Sequence, residues 1–287
     1  MRRRYSQRSD ASLLDRIFNR FTWKYWILGG AALIILLTGI SIYKSNQKLT
    51  PADTALYGEQ QIVVGIAADV ANFGTADASG QPTGLDRDVA TALLSSLYPD
   101  SEIFFVEIES QQASYLLREG KIDLALGMFP KDVLRTQGLS VTQPYFTDGV
   151  YAYVNPGSSI TDLSGLGGKR LSVMTSEVSK STVQSALKDR QLEADLVSCT
   201  SYPDGIYGVQ RGSSKAIIAP ACKMIPYKED LRRLDTPVCT VGYCILSWKN
   251  QGNMTSLLNE RIAAMQEEGE IDLLAAKWGV EQTILEK

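Results

Sequence analysis

Residues 111–128 read QQASYLLREGKIDLALGM, and the change of period inside this stretch decides the fold. Gln111 to Arg118 follow a helical pattern, Gly120 is a C-terminal stop, and Ile122 to Met128 form an apolar, strand-like run. Upstream, Ile103 to Ile108 is another strand, so strand, helix and strand follow one another with short connections. That order predicts a parallel sheet covered by helices. Further out, Ile62 to Ala68 is a strand and Asp69 to Gly84 a polar, turn-rich stretch. After it, Val89, Leu93, Leu94 and Leu97 share one helical face that Asp86 or Asp88 can cap. A second series follows: strand Arg170 to Met174, helix Glu177 to Arg190, strand Ala194 to Ser198, helix Pro203 to Gln210 and strand Lys215 to Ala219. After Val238 to Trp248, helices Ser256 to Glu267 and Ile271 to Lys277 complete the pattern, and two α/β lobes result.

The N-terminal side is of another kind. Residues 25–43, YWILGGAALIILLTGISIY, carry no charge between Lys24 and Lys44. As a helix they would reach about 28 Å, the thickness of a bilayer's hydrocarbon core. Trp23, Tyr25 and Trp26 stand at one end and Tyr43 at the other, where amphipathic rings prefer the interfaces. Seven Lys/Arg precede the run, and only Lys44 and Lys48 follow it up to residue 60, which orients the N-terminus to the cytoplasm. A cleaved signal peptide and a buried core helix are the competing readings. The apolar run is long for a signal peptide, Gly39-Ile40-Ser41 is a poor cleavage site, and the basic flanks disfavour a core helix. The expectation is a cytoplasmic basic stub (1–24), a transmembrane signal anchor (25–43), a polar linker (44–60) and an extracytoplasmic domain from residue 61.

Charge divides at the same place. Residues 1–25 hold seven Lys/Arg and two Asp, a charge of +5, which leaves −8 for residues 26–287 within an overall −3. No basic footprint for nucleic acid exists outside the stub. The 287 residues contain no histidine, which excludes His-based triads and His-ligated metals. Gly165-Leu166-Gly167-Gly168-Lys169-Arg170 lacks the Gly and Ser/Thr spacing of a phosphate loop and reads as a turn entering a strand. No cofactor, metal set or catalytic nucleophile is expected.

Seven stretches, in order, resemble the type 3 solute-binding proteins of bacterial amino-acid importers: IVVGIAAD (62–69), SGQPTGLDRDVATAL (79–93), REGKIDLALGM (118–128), TQPYF (142–146), DLSGLGGKRLSV (162–173), GYCILSWKN (242–250) and EEGEIDLLAAKWG (267–279). The resemblance implies a two-lobed periplasmic-binding-protein type II clamshell. Lobe 1 would comprise 61–151 plus 247–287 and lobe 2 152–246, with crossing strands near Val150 to Val154 and Cys244 to Trp248. It also implies a small-molecule ligand in the cleft and an ABC permease, or another membrane protein, as partner.

A dipolar ligand shut away from water needs a cation for its carboxylate and an anion for its ammonium. By the resemblance, Arg135, nine residues before Pro144, supplies the cation, and Phe73 keeps an aromatic position. Asp69, Met128, Thr175, Ser176 and Glu177 complete the expected ligand-binding set. Other positions depart from the family pattern: Val70 replaces a stacking ring, Pro130 a hydroxyl, and Pro220 the Asp that accepts the ammonium. Three readings stay open: capture of a small polar or anionic solute through an atypical clamp, a sensor or assembly scaffold with a degenerate cleft, and an enzyme on the same scaffold. For the last, Glu177 and Asp69 are the only acids placed near the cleft, and each has an ordinary structural reading as a first-turn helix acid and a turn residue. Cys199, Cys222, Cys239 and Cys244 would face an oxidising space, so one or two disulfides are expected, with buried free thiols as the alternative.

Overall fold

The computed structural model describes residues 61–134, 138–249 and 253–283. The stub, span and linker expected at 1–60 lie outside the described residues, and so does Arg135. Among the described residues no helix is long and apolar enough to cross a membrane.

The chain builds a two-lobed α/β fold around one ten-stranded sheet, whose main path runs β4-β1-β5-β12-β7-β10-β8-β9. On one side β4 (Glu102–Ile108), β1 (Gln61–Ala67) and β5 (Leu124–Pro130) are parallel. On the other, β10 (Ala216–Pro220), β8 (Arg170–Met174) and β9 (Asp195–Cys199) are parallel. Two longer strands, β7 (Phe146–Val154) and β12 (Cys239–Trp248), join the halves by antiparallel pairing. β12 pairs with β5 through Tyr243 to Ser247 and with β7 through Cys239 to Tyr243, so one strand serves both halves. The parallel sheet expected from the sequence is thus two parallel triplets bridged by an antiparallel pair. Short strands complete the set: the hairpin β2 (Thr75–Ala76) and β3 (Pro82–Thr83), β6 (Leu139–Val141) on β12, and β11 (Arg232–Arg233) on β7.

Helix α1 (Leu85–Leu97) seals the first half. Leu85, Val89, Ala90, Leu93 and Leu94 are wholly buried, and each large aliphatic side chain contributes roughly 1.5–3 kcal/mol by leaving water. The helix has no acidic cap: its N-cap is Gly84, with no side-chain cap bond. A Cβ at Gly84, whose φ is 125°, would stand 2.1 Å from the Phe73 carbonyl oxygen. Glycine is required there because the chain passes over its own backbone to enter the helix. Asp86 and Asp88, the expected caps, are used elsewhere. Asp88 accepts from Lys277 Nζ and Trp278 Nε1, which ties α1 to α6 (Glu270–Lys277).

A 3-10 turn at Ser110–Gln112 leads into α2 (Ala113–Arg118), and Gly120 at φ 63° ends that unit before β5. In the second half α3 (Lys180–Asp189) starts at the Ser179 cap, whose hydroxyl accepts from the Thr182 N–H. Glu177 therefore precedes the helix instead of sitting in its first turn. α4 (Tyr202–Gln210) covers β8 and β10, while α5 (Met254–Glu267) packs with α6 against α1.

The expected disulfides are not formed; all four cysteines are free. Their strands explain why. Cys239 pairs with Val150 on β7 and Cys244 with Phe129 on β5, so they look to different neighbours. Cys199 Sγ lies 3.2 Å from Met174 Sδ, and the Cys222 backbone N–H donates to Asp148. Burial raises the thiol pKa values, to about 11 at Cys199 and about 12 at Cys239 and Cys244, and these thiols are correspondingly unreactive.

Candidate functional site

The polar groups of interest come from four short segments at strand ends. The first is the turn after β1, which carries Asp69; its carboxylate accepts from Ser110 Oγ at 2.8 Å and is exposed. The second is the start of α1, where Asp86 is fully buried and accepts from Tyr145 Oη at 2.5 Å. The third is the turn after β8, where Thr175 is half-buried, Ser176 exposed and Glu177 buried. Its shape is set by the Glu177 and Val178 N–H groups, which both donate to the Met174 carbonyl. The fourth is the 3-10 turn Cys222–Tyr227 after β10, which presents Lys223.

Electrostatics link these segments across the two halves of the sheet. Lys223 Nζ stands 3.9 Å from Glu177 Oε1, an ion pair without a hydrogen bond. Burial pushes the Asp86 carboxyl up to about 7; Tyr145 and Lys223 oppose that rise and Asp69 adds to it. Burial likewise raises Glu177, with Lys223 lowering it and Asp69 raising it. Asp69 and Lys223 therefore act on both buried acids, one in each half. Two further buried hydroxyls, Tyr243 on β12 and Tyr202 at the start of α4, are raised in pKa first by burial and then by the Asp148 and Glu177 charges.

Several of these atoms lack partners. Asp86 Oδ2, Glu177 Oε2, Tyr202 Oη and Tyr243 Oη are buried with no hydrogen-bond partner among the described residues. Each such group costs on the order of 1–3 kcal/mol, more when charged. A protein interior keeps few of them, and one, Glu177 Oε2, belongs to the carboxylate paired with Lys223.

Of the residues expected from the sequence, Asp69, Thr175, Ser176 and Glu177 are found on these segments. Phe73 is fully buried in the apolar core, its ring edge-on to Phe146 at 5.0 Å and 80°. Met128 is also buried, and it holds φ 51°, a left-handed conformation that costs a non-glycine residue of order 1 kcal/mol or more. The sequence reading missed Asp86, Tyr145, Lys223 and the two tyrosine hydroxyls. Asp86 and Tyr145 stand inside two of the quoted stretches, GLDRD, where Asp86 reads as a helix cap, and TQPYF, which served only as a motif of the resemblance. Lys223 carried no signal, because a lone Lys after a strand is ordinary surface.

Two open cavities lie beside the same 3-10 turn. One, of about 510 Å³, runs from Tyr153 to Lys228 and Arg233. The other, of about 630 Å³, is bounded by Asp148, Arg233 and Thr283. Their lining includes none of Asp69, Asp86, Glu177 or Lys223, and none of the unpartnered buried atoms. The cavities and the cluster of buried polar groups are thus lined by different residues.

Known proteins share this architecture. A glutamate/aspartate import solute-binding protein of Salmonella typhimurium is 21% identical over 228 residues, covering 76% of this chain and 76% of that protein. The crystal structure of Tv2483 bound to L-arginine superposes with a TM-score of 0.59 at 17% identity, covering 82% of this chain and 97% of that one. The L-cystine solute receptor of Neisseria gonorrhoeae, in its unliganded open conformation, gives a TM-score of 0.58 at 16% identity, covering 80% and 97%. Residues 62–281 match the bacterial extracellular solute-binding proteins, family 3, and the chain belongs to that family.

Proposed function

We propose that this protein is a membrane-tethered, extracytoplasmic solute receptor that closes two lobes on a small, amino-acid-like solute and hands it to an ABC importer. The observation that carries the reading is the set of buried, unpartnered polar atoms gathered from both halves of the sheet around Glu177 and Lys223. Such atoms are costly in a closed interior and become useful when a bound molecule supplies their partners. The lobes would be 61–151 with 247–287, and 152–246, hinged on β7 and β12. The kinship with import proteins supports delivery to a permease, and the apolar run 25–43 would hold the receptor at the membrane with its N-terminus in the cytoplasm. The role is binding, with no catalytic step.

A second reading has its own support. Pro130 and Pro220 offer no side-chain hydrogen bond, and Glu177 and Lys223 already face each other, which suits a receptor-like scaffold whose cleft no longer takes a solute. A thermal-shift screen of the full chain in mild detergent, against amino acids, amines, carboxylates and sugars, separates the two. Solute capture requires at least one compound to raise the melting temperature in a concentration-dependent way. No shift with any class at millimolar concentration favours the scaffold.

A further inference from the structure

The cavity of about 510 Å³ beside the Cys222–Tyr227 turn carries a charge pattern of its own. Its lining lies wholly between Tyr153 and Arg233. Three cations converge on it, Lys228, Arg232 and Arg233, against one acid, Glu229. Among the described residues none of the three cations takes part in an ion pair. Basic side chains at a surface ordinarily point into water, and what sets these apart is how two of them are held. Arg232 is half-buried, and its Nη2 donates to the carbonyls of Ser158 at 3.1 Å and Ile160 at 2.7 Å. Neutral acceptors thus fix that guanidinium without neutralising it. Arg233 lies over the Tyr151 ring, 4.5 Å from its centroid, which occupies one face of the guanidinium and leaves the in-plane N–H groups free to donate. Asp148 feels the Arg233 charge, but its carboxylate lines the neighbouring cavity and accepts from the Cys222 N–H at 2.9 Å.

The rest of the lining is largely apolar: Tyr153, Met224 and Leu231 are buried and Ile225 is half-buried. An oxyanion leaves water readily only where charged N–H donors replace its hydration, and donors already held in place lose little freedom when they bind. The apolar wall rewards a carbon skeleton attached to that oxyanion. The volume falls within the roughly 300–1,000 Å³ of small-molecule pockets. We propose that this cavity is a second binding site, for an organic anion with a small apolar body and one carboxylate or phosphate group. Arg232 and Arg233 hold the oxyanion, Lys228 adds charge, and Tyr153, Met224 and Leu231 receive the apolar part. The site requires no closure of the lobes, and it stands whether or not the groups around Glu177 take a solute.

Calorimetric titration of the full chain in mild detergent, with empty micelles as the blank, tests this with benzoate and phenyl phosphate against benzylamine and benzyl alcohol, which keep the ring and change the charge. The expected result is heat of binding with at least one of the anions and none with the amine or the alcohol. Arg233→Gln combined with Lys228→Gln removes two charges from exposed side chains and should weaken the better anion roughly tenfold or more, as loss of charge-assisted hydrogen bonds does. Glu229→Gln, which takes the one acid out of the lining, should tighten it severalfold, and this second variant gives an answer of its own if melting curves show the first to be unfolded. Hydrogen exchange with the anion bound should show protection in residues 224–233. No heat with either anion, equal heat with benzylamine, or unchanged affinity in the folded variants overturns the inference, and none of these outcomes bears on solute capture around Glu177.

Discussion

The α1 face of the first half and the acids Asp86 and Glu177 are both buried, and they are buried on opposite terms. Along α1, Leu85, Val89, Leu93 and Leu94 are wholly buried and apolar, so every contact lowers the free energy. One residue further into the same helix's N-terminus, Asp86 is equally inaccessible but keeps a carboxylate oxygen without a partner. A single helix therefore carries a stabilising stripe and a destabilising point. The apolar stripe contributes stability, while the unpartnered carboxylate oxygen of Asp86 subtracts from it.

The largest test of this contrast is pH. The folded-state pKa of Asp86 is raised from 3.8 to about 7 by burial, so the folded protein holds this proton more tightly than the unfolded chain does. Below pH 4 both states are protonated and the site costs nothing; between about pH 4 and 7 the unfolded chain ionises first and stability falls, levelling off above 7. The cumulative loss is at most about 4 kcal/mol. Asp86→Asn should remove most of that fall in urea unfolding at pH 4, 6 and 8; a wild-type slope retained in the variant would place the buried proton elsewhere. Next in size is Leu93→Ala on the apolar stripe, expected to cost about 3 kcal/mol at every pH, since it deletes buried methyl groups without touching a charge. A loss that varied with pH would break the separation of the two regions.

Gly84→Ala probes the joint between them. With φ at 125° and a new Cβ 2.1 Å from a backbone oxygen, it should cost about 2 kcal/mol and tilt the start of α1, visible as a lower denaturation midpoint. The smallest effect is expected from Lys277→Ala, which removes an ion pair to Asp88 at 2.7 Å whose lysine is 61% exposed. Pairs of that kind contribute under about 1 kcal/mol and fade with salt. A loss above 2 kcal/mol would mean that the α1–α6 contact is held by charge and not by packing.

Much of the architecture was legible because apolar period and glycine placement are local signals. The run through Gly120 into β5 and the strand Arg170–Met174 could be read directly, the latter to the residue. Helix starts were harder. α3 begins at Lys180 because Ser179 provides the cap, and nothing in the apolar pattern distinguishes that from an earlier start at Glu177. The site was legible only in part. Asp69 and Glu177 are polar residues at strand ends, which sequence can flag. Asp86, Tyr145, Lys223 and Tyr243 acquire their role from burial and from one another, across separations such as the 59 residues between Asp86 and Tyr145. The cysteines failed for the same reason, since their spacing says nothing about the strands on which they end up.

The central claim is that the cleft around Glu177 and Lys223 is where the solute sits. Hydrogen–deuterium exchange of the full chain, with and without the solute giving the largest thermal shift, tests it most directly. Protection should concentrate in residues 67–73, 85–88, 174–178 and 221–224, the segments that carry the unpartnered polar groups and their partners. Protection centred instead on 279–283 and Arg233, which bound the larger of the two cavities, with 67–73, 85–88 and 174–178 unchanged, would contradict it.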